Sequence, residues 1–134
     1  MVICAGGPRL LRQAWVAVRL LRRAGCELPI ELWSARALDN PPPPRWAEAF
    51  YEQRVSLRVV EEELPEGAWR PLLRPASVAE GKPFVLKALA LLATAFEEAL
   101  LLDADNLALR VRRPLPSVAG AASCQACCGS GSVL

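Results

Sequence analysis

The sequence predicts an α/β fold, in which a mostly parallel sheet is flanked by helices. Short apolar runs alternate with longer segments of helical periodicity, which gives the order strand, helix, strand, helix, strand, helix, strand. Of the 134 residues, 53% are hydrophobic, which is enough for the core of one small domain. A Gly-Gly pair and an Asp-Ala-Asp motif each follow a strand pattern directly, at the positions where parallel sheets bind ligands.

The first two elements are a strand over Met1–Ala5 and a helix over Arg9–Ala24. Pro8 suits the first helical turn, and Gly25 suits the end of the helix. The helix carries one apolar stripe, formed by Leu10, Leu11, Ala14, Trp15, Val18 and Leu21. The opposite face is predicted to be a solvated basic face, with Arg12, Arg19, Arg22 and Arg23.

The next elements are a strand, a short helix and a third strand. Leu28–Trp33 alternates enough to be the second strand. Pro41–Pro44 then forms a stiff, polyproline-like connection. Arg45–Gln53 is a short helix with its aromatic residues on one side, and Val55–Val60 is the third strand because it is rich in β-branched residues.

The last predicted elements lead into the acidic motif. Glu61–Gly81 contains several prolines and is predicted to be an irregular connection. Pro83–Ala95 is a strongly apolar helix, and Ala99–Leu102 is an apolar strand that ends at Asp103.

Composition excludes several classes of function. The chain has no histidine, which excludes histidine general bases and histidine-liganded zinc sites. The 16 Lys and Arg against 14 Asp and Glu leave a net charge of +2, which is too balanced for a dedicated nucleic-acid binder. No apolar run is long enough for a transmembrane segment.

The cysteines favour thiols over a disulfide framework because their number is odd. They are Cys4, Cys26, Cys124, Cys127 and Cys128. The last three lie in a segment rich in Ala, Ser and Gly, and we predict a disordered, low-complexity tail over 110–134 with reactive thiols. Metal binding or redox activity of that cysteine group is the alternative.

The carboxylate pair Asp103 and Asp105 is the chemical focus of the sequence. In an extended segment both side chains would point to the same face, roughly 6–7 Å apart. With no basic residue adjoining them in the sequence, they would repel each other until a divalent cation such as Mg²⁺ or Mn²⁺ bound, and such a cation would hold a diphosphate. In the competing interpretation, Asp103 caps a turn and Asp105 is a solvated loop residue.

Two blocks of the sequence resemble the alpha-mannosyltransferases of glycosyltransferase family 71, the fungal-type Golgi alpha-1,3-mannosyltransferases. The first block comprises the strand and glycine turn Val2–Gly7, the helix end Leu20–Cys26 and the strand Leu28–Trp33. The second block is Leu86–Asn106, which ends with the Asp-Ala-Asp motif. The two blocks occur in family order and cover most of residues 1–109.

The resemblance implies a GT-A type nucleotide-diphospho-sugar transferase fold, truncated to its donor-binding half over 1–109. It implies a Golgi enzyme that transfers a hexose, mannose from GDP-mannose, to a glycan or glycoprotein acceptor with Mn²⁺ or Mg²⁺ as cofactor. A catalytically inactive nucleotide-sugar-binding or interaction module is the alternative, because the family continues well past the acidic motif.

The resemblance also implies roles for individual residues. Asp105 would be the more direct metal ligand, and Asp103 would contact the metal-bound water or the ribose. The other donor-binding residues would be Ala5, Gly6, Gly7 and Lys87. For Lys87, a snorkelling role on a buried helix is the alternative to a place near the diphosphate. The resemblance assigns no catalytic base.

Overall fold

The computed structural model contains a parallel four-stranded sheet with helices on both sides, so the chain has a Rossmann-like α/β fold. The structure describes residues 1–5, 7–37, 42–73, 84–106, 111–112 and 125–126. The sheet has the order β3-β2-β1-β4. Its strands are β1 (Val2–Cys4), β2 (Ile30–Ser34), β3 (Val55–Val59) and β4 (Leu101–Asp103). The predicted α/β class and the four strands are confirmed, with ends shifted by a few residues.

Three long helices lie between these strands, as the periodicity predicts. They are α1 (Gly7–Arg23), α2 (Pro44–Glu52) and α5 (Phe84–Ala93). The segment predicted to be irregular instead begins with two short helices, α3 (Val60–Glu63) and α4 (Glu66–Trp69). Each is a single turn, too short for periodicity to reveal, and residues 74–83 lie outside the described part.

Helix α1 ends as the sequence predicts, at a glycine in the left-handed region. Gly25 has a φ of 85°. Its N–H donates to the carbonyl of Arg22 at 3.0 Å, and the N–H of Cys26 donates to the carbonyl of Leu21 at 3.0 Å. This pair of bonds is the Schellman arrangement, which satisfies carbonyls at the end of a helix.

The core has two parts, one on each side of the sheet. We call the side covered by α1 and α2 the α1 face, and the side covered by α3 and α5 the α5 face. Side chains of β1 alternate between them: Ile3 packs on the α1 face, whereas Val2 and Cys4 pack on the α5 face. The central strands are buried on both faces, as expected for a parallel sheet between helix layers.

Three aromatic rings close the outer part of the α1 face. The ring of Trp15 meets the ring of Phe50 edge-on, with centroids 5.3 Å apart, and meets the ring of Trp46 edge-on at 6.1 Å. Phe50 is fully buried, whereas Trp15 and Trp46 pack against the cluster from its margin. The aromatic residues of α2 therefore hold it against α1.

A buried carboxylate stands at the centre of the α5 face. Glu31 is only 2% exposed, and its Oε2 accepts hydrogen bonds from the Trp33 indole N–H at 2.9 Å and the Thr94 hydroxyl at 2.6 Å. The Arg58 Nε lies 3.6 Å from Glu31 Oε1. Burial alone would raise the pKa of Glu31, but these hydrogen bonds, one from the Ala95 N–H and the Arg58 charge together lower it.

Arg22 does not belong to a solvated face, and that part of the prediction is wrong. Its guanidinium donates to four backbone carbonyls. They are the carbonyls of Cys26, Leu28, Gln53 and Arg54, at distances of 2.8–3.2 Å. Helical periodicity places Arg22 beside the exposed arginines of α1. It cannot show that backbone carbonyls from the α1–β2 and α2–β3 connections lie within reach of its guanidinium.

Most of the predicted tail over 110–134 lies outside the described residues. Within it the structure describes two short strands that pair antiparallel, β5 (Val111–Arg112) and β6 (Gln125–Ala126). Cys124, Cys127 and Cys128 lie outside the described part, so the prediction of a disordered tail stays a prediction. Cys4 and Cys26 are both buried thiols, as expected.

Candidate active site at the carboxyl edge of the sheet

The sheet order brings the glycine turn and the acidic motif together. β1 and β4 are adjacent and parallel, and Cys4 lies opposite Asp103 in the register. The residues that follow each strand therefore emerge side by side at the carboxyl edge, where α/β sheets bind ligands. The sequence predicted one site on the condition that strand order placed these two ends together, and the structure meets that condition.

Strand β1 ends at Cys4, and helix α1 begins at Gly7. Ala5 is buried, and its N–H donates to the carbonyl of Trp33 at 3.0 Å. Gly6 lies outside the described residues. Gly7 is the first residue of α1 and has a φ of 77°, which glycine adopts without strain and other residues do not. The glycine requirement at position 7 is therefore a matter of backbone geometry.

At the end of β4 the chain turns, and this separates the two carboxylates. The N–H of Asn106 donates to the carbonyl of Asp103 at 3.0 Å, which closes a turn over Asp103–Asn106. Asp103 pairs with Lys87 on the α5 face, whereas Asp105 lines a groove against α1. The expectation that both side chains share one face is wrong, because it assumed an extended segment past Asp103.

Asp103 has a cation beside it that the sequence did not reveal. Lys87 of α5 forms an ion pair with Asp103, and its ammonium also lies 5.3 Å from the centre of the Phe84 ring. Cys4 lies next to this pair. Burial raises the pKa of the Cys4 thiol to about 12, with Lys87 lowering it and Asp103 raising it. The thiol therefore stays protonated at neutral pH and is not a nucleophile.

Asp105 faces a groove of about 380 Å³ between the end of β4 and α1. Its lining is formed by Arg9, Arg12, Gln13, Val16, Ala104 and Asp105. Two larger grooves, of about 890 Å³ between α2 and β3 and about 610 Å³ at the end of α1, contain none of the predicted site residues. Chemistry rather than size therefore singles out the groove beside Asp105.

The donor set offers a divalent cation one carboxylate on the groove side. Mg²⁺ and Mn²⁺ need only one or two protein carboxylates when phosphate oxygens and water supply the other ligands, so Asp105 fits such an ion. Asp103 already holds Lys87 on the other face. No group of three or more acidic, Cys or His side chains suited to a metal occurs within the described ranges. The arrangement fits an ion brought in with a diphosphate.

Sequence reasoning missed the buried Glu31 and the groove residues Arg9 and Gln13. A signal for Glu31 was present, because a central strand of a parallel sheet is buried on both faces and any carboxylate in it is enclosed. Arg9 and Gln13 share a helix face with Arg12 by their spacing of three and four residues. Only the tertiary structure shows that β4 ends against that face.

Comparison with known families decides the classification. A family model described as "Mannosyltransferase putative" matches residues 1–111, which include all the helices that the structure describes and the four strands of the main sheet. The chain belongs to this family. No curated protein and no solved structure matches the chain. Membership of the mannosyltransferase family confirms the family resemblance seen in the sequence.

In this member of the mannosyltransferase family, the ends of β1 and β4 lie side by side at the carboxyl edge of the sheet. The glycine turn and the Asp-Ala-Asp motif both lie inside the matched range. Among the helices that the structure describes, none is long and apolar enough to cross a membrane.

Proposed function

We propose that this chain binds a nucleoside-diphosphate hexose, GDP-mannose, at the carboxyl edge of its sheet and transfers the hexose to an acceptor hydroxyl. Family membership supports the transferase class. The observation that carries the proposal is the adjacency of the β1 and β4 ends, because it places Gly7 and Asp105 at one edge. The finer assignment to the GT-A type rests on the resemblance of the two sequence blocks.

The reaction exchanges one C–O bond for another. The acceptor oxygen bonds to C1 of the hexose, the bond from C1 to the diphosphate breaks, and the electron pair leaves with the nucleoside diphosphate. The proton of the acceptor hydroxyl is released. A bound Mn²⁺ or Mg²⁺ would supply Lewis-acid neutralisation of the leaving diphosphate.

The residues of this chain bind and orient the donor. We assign Asp105 as the carboxylate that would hold the cation, since it alone of the two faces the groove. Ala5, Gly6 and Gly7 would lie against the nucleotide, since they follow β1 at the same edge. Asp103 would act through its ion pair with Lys87, which joins β4 to α5 and sets the position of the turn.

The acceptor and the location in the cell rest on the family resemblance alone. We propose a glycan or glycoprotein acceptor and a Golgi location on that basis. The second candidate function is a nucleotide-sugar-binding module without turnover. It is favoured by the pairing of Asp103 with Lys87, which leaves one carboxylate of the motif on the groove side.

Calorimetry with GDP and Mn²⁺ tests the proposal. We expect the wild-type chain to bind GDP in the presence of Mn²⁺ and the Asp105→Asn variant to lose about tenfold or more in affinity, because a ligand of the cation is removed. Glu52→Gln is the matched control, since it makes the same charge change at an exposed position on α2. Absence of GDP binding by the wild type would overturn the proposal.

A release assay separates the two candidate functions. Incubation with GDP-mannose and a mannose acceptor yields free GDP if the chain is a transferase. Binding without release of GDP, from the same preparation, supports the non-catalytic module.

A further inference from the structure

We propose that Arg9 and Arg12 bind the phosphates of the donor in the groove beside Asp105, and that Gln13 accepts a hydrogen bond from a hydroxyl of the same ligand. This assignment rests on the proposed function. It adds an anion-binding face on α1 to the carboxylate side of the site, and it places the ligand on the α1 face rather than between Asp103 and Asp105.

The charged side chains described in the groove form no ion pairs with one another. Within the described residues, Arg9 and Arg12 form no ion pair, although both line the same groove as Asp105. Four other arginines of this part of the chain have defined partners: Arg22 binds carbonyls, Arg58 pairs with Glu31 and Glu63, and Arg36 and Arg70 pair with glutamates. Two guanidinium groups that face one groove without a partner are suited to phosphate, which they bind in a forked geometry.

The Gln13 amide adds an independent signal for a ligand. Its Oε1 is buried and has no hydrogen-bond partner in the described part of the chain. An unpaired buried acceptor destabilises the fold, so a ligand that donates a hydrogen bond to this atom would be favoured in the groove. The internal diphosphate of a nucleotide sugar is fully ionised and has no proton to offer in this role, whereas a ribose or hexose hydroxyl does. The groove therefore suits a phosphate ester that carries hydroxyl groups.

The spacing along α1 explains how these groups meet. Arg9, Arg12, Gln13 and Val16 stand at positions i, i+3, i+4 and i+7, which form one stripe of a helix. The first turn of α1 contains no acidic residue, so nothing on that turn offsets the positive charge of Arg9. Ala104 and Asp105 close the groove from the end of β4. A ligand in this groove would touch cations, an acceptor and the metal-binding carboxylate together.

Binding of inorganic pyrophosphate and GDP, each with and without Mn²⁺, tests the inference. We expect the double variant Arg9→Gln/Arg12→Gln to weaken both ligands by about tenfold or more, in line with the loss of charge-assisted hydrogen bonds. Arg23→Gln is the matched control, because it removes one exposed charge from the same helix outside this groove. Circular dichroism of each variant checks that α1 is intact.

Gln13→Met separates the two parts of the proposal. Loss of the acceptor should weaken GDP binding several-fold and weaken pyrophosphate binding less, since pyrophosphate has no ribose hydroxyl. Equal binding of GDP and pyrophosphate by the wild type and the double arginine variant would overturn the inference while leaving the proposed function in place. Pyrophosphate binding that depends on Arg9 and Arg12, in a chain that does not bind GDP with Mn²⁺, would uphold the anion site and overturn the proposed function.

Discussion

The α1 face and the α5 face of the sheet are packed by different means. On the α1 face, Phe50 and the edge-on tryptophans belong to a cluster whose described buried members are all hydrophobic. On the α5 face, Glu31 is enclosed among Trp33, Thr94 and Arg58. The α1 face depends on filling its volume, and the α5 face depends on the hydrogen bonds of its buried polar atoms. A truncation should therefore leave a cavity on the first face and unpaired polar groups on the second.

The largest effect is expected from a cavity on the α1 face. Phe50→Ala removes a fully buried ring that contacts two tryptophans. We expect the free energy of unfolding, measured in urea, to fall by about 3–5 kcal/mol. Phe50→Leu keeps most of the volume and should cost less than about 1.5 kcal/mol. If both variants cost the same, volume is not what this face depends on.

An intermediate effect is expected from Glu31 on the α5 face. Glu31→Ala leaves the Trp33 indole and the Thr94 hydroxyl without an acceptor, and we expect a loss of about 2–3 kcal/mol. Glu31→Gln keeps an acceptor oxygen and should recover part of that loss.

The free energy of unfolding, measured as the pH is lowered, tests the charge of Glu31 separately. The pKa of Glu31 in the folded chain is below the unfolded value, so the carboxylate stabilises the fold above the unfolded pKa and this contribution is lost as the pH falls through the folded pKa. We expect the wild type to lose stability more steeply than Glu31→Gln as the pH falls from the ordinary glutamate pKa of 4.5 through the lower folded pKa. Parallel profiles of the two proteins would show that the charge of Glu31 contributes nothing.

The smallest effect is expected from the ion pair at the carboxyl edge. Lys87→Met removes the cation beside Asp103 and keeps most of the length of the side chain. Because the Asp103 side chain is 44% exposed, we expect a loss of less than about 1 kcal/mol in the free energy of unfolding. A loss as large as that of Glu31→Ala would mean that the pair holds α5 in place rather than adjusting the site.

The strands and helices could be predicted because each carries its own periodicity. The stripe of α1 and the glycine at its end fix both the helix and its termination from local residues alone. The opposite orientations of Asp103 and Asp105 could not be predicted, because they follow from one hydrogen bond across the turn. Lys87 and Asp103 are separated by 15 intervening residues, so their ion pair depends on how α5 packs against β4.

Because of the Arg22 guanidinium, the connections at the two edges of the sheet should differ in how much they tolerate insertions. It gathers carbonyls that precede β2 and β3, at the amino edge of the sheet and away from Asp105. A one-residue insertion in either connection would draw a carbonyl out of reach of the guanidinium. Lysine at this position would place its three N–H donors on one ammonium nitrogen, whereas the planar guanidinium of arginine spreads its donors over three nitrogens. Variation in loop length can therefore accumulate at the carboxyl edge while the amino edge keeps its spacing.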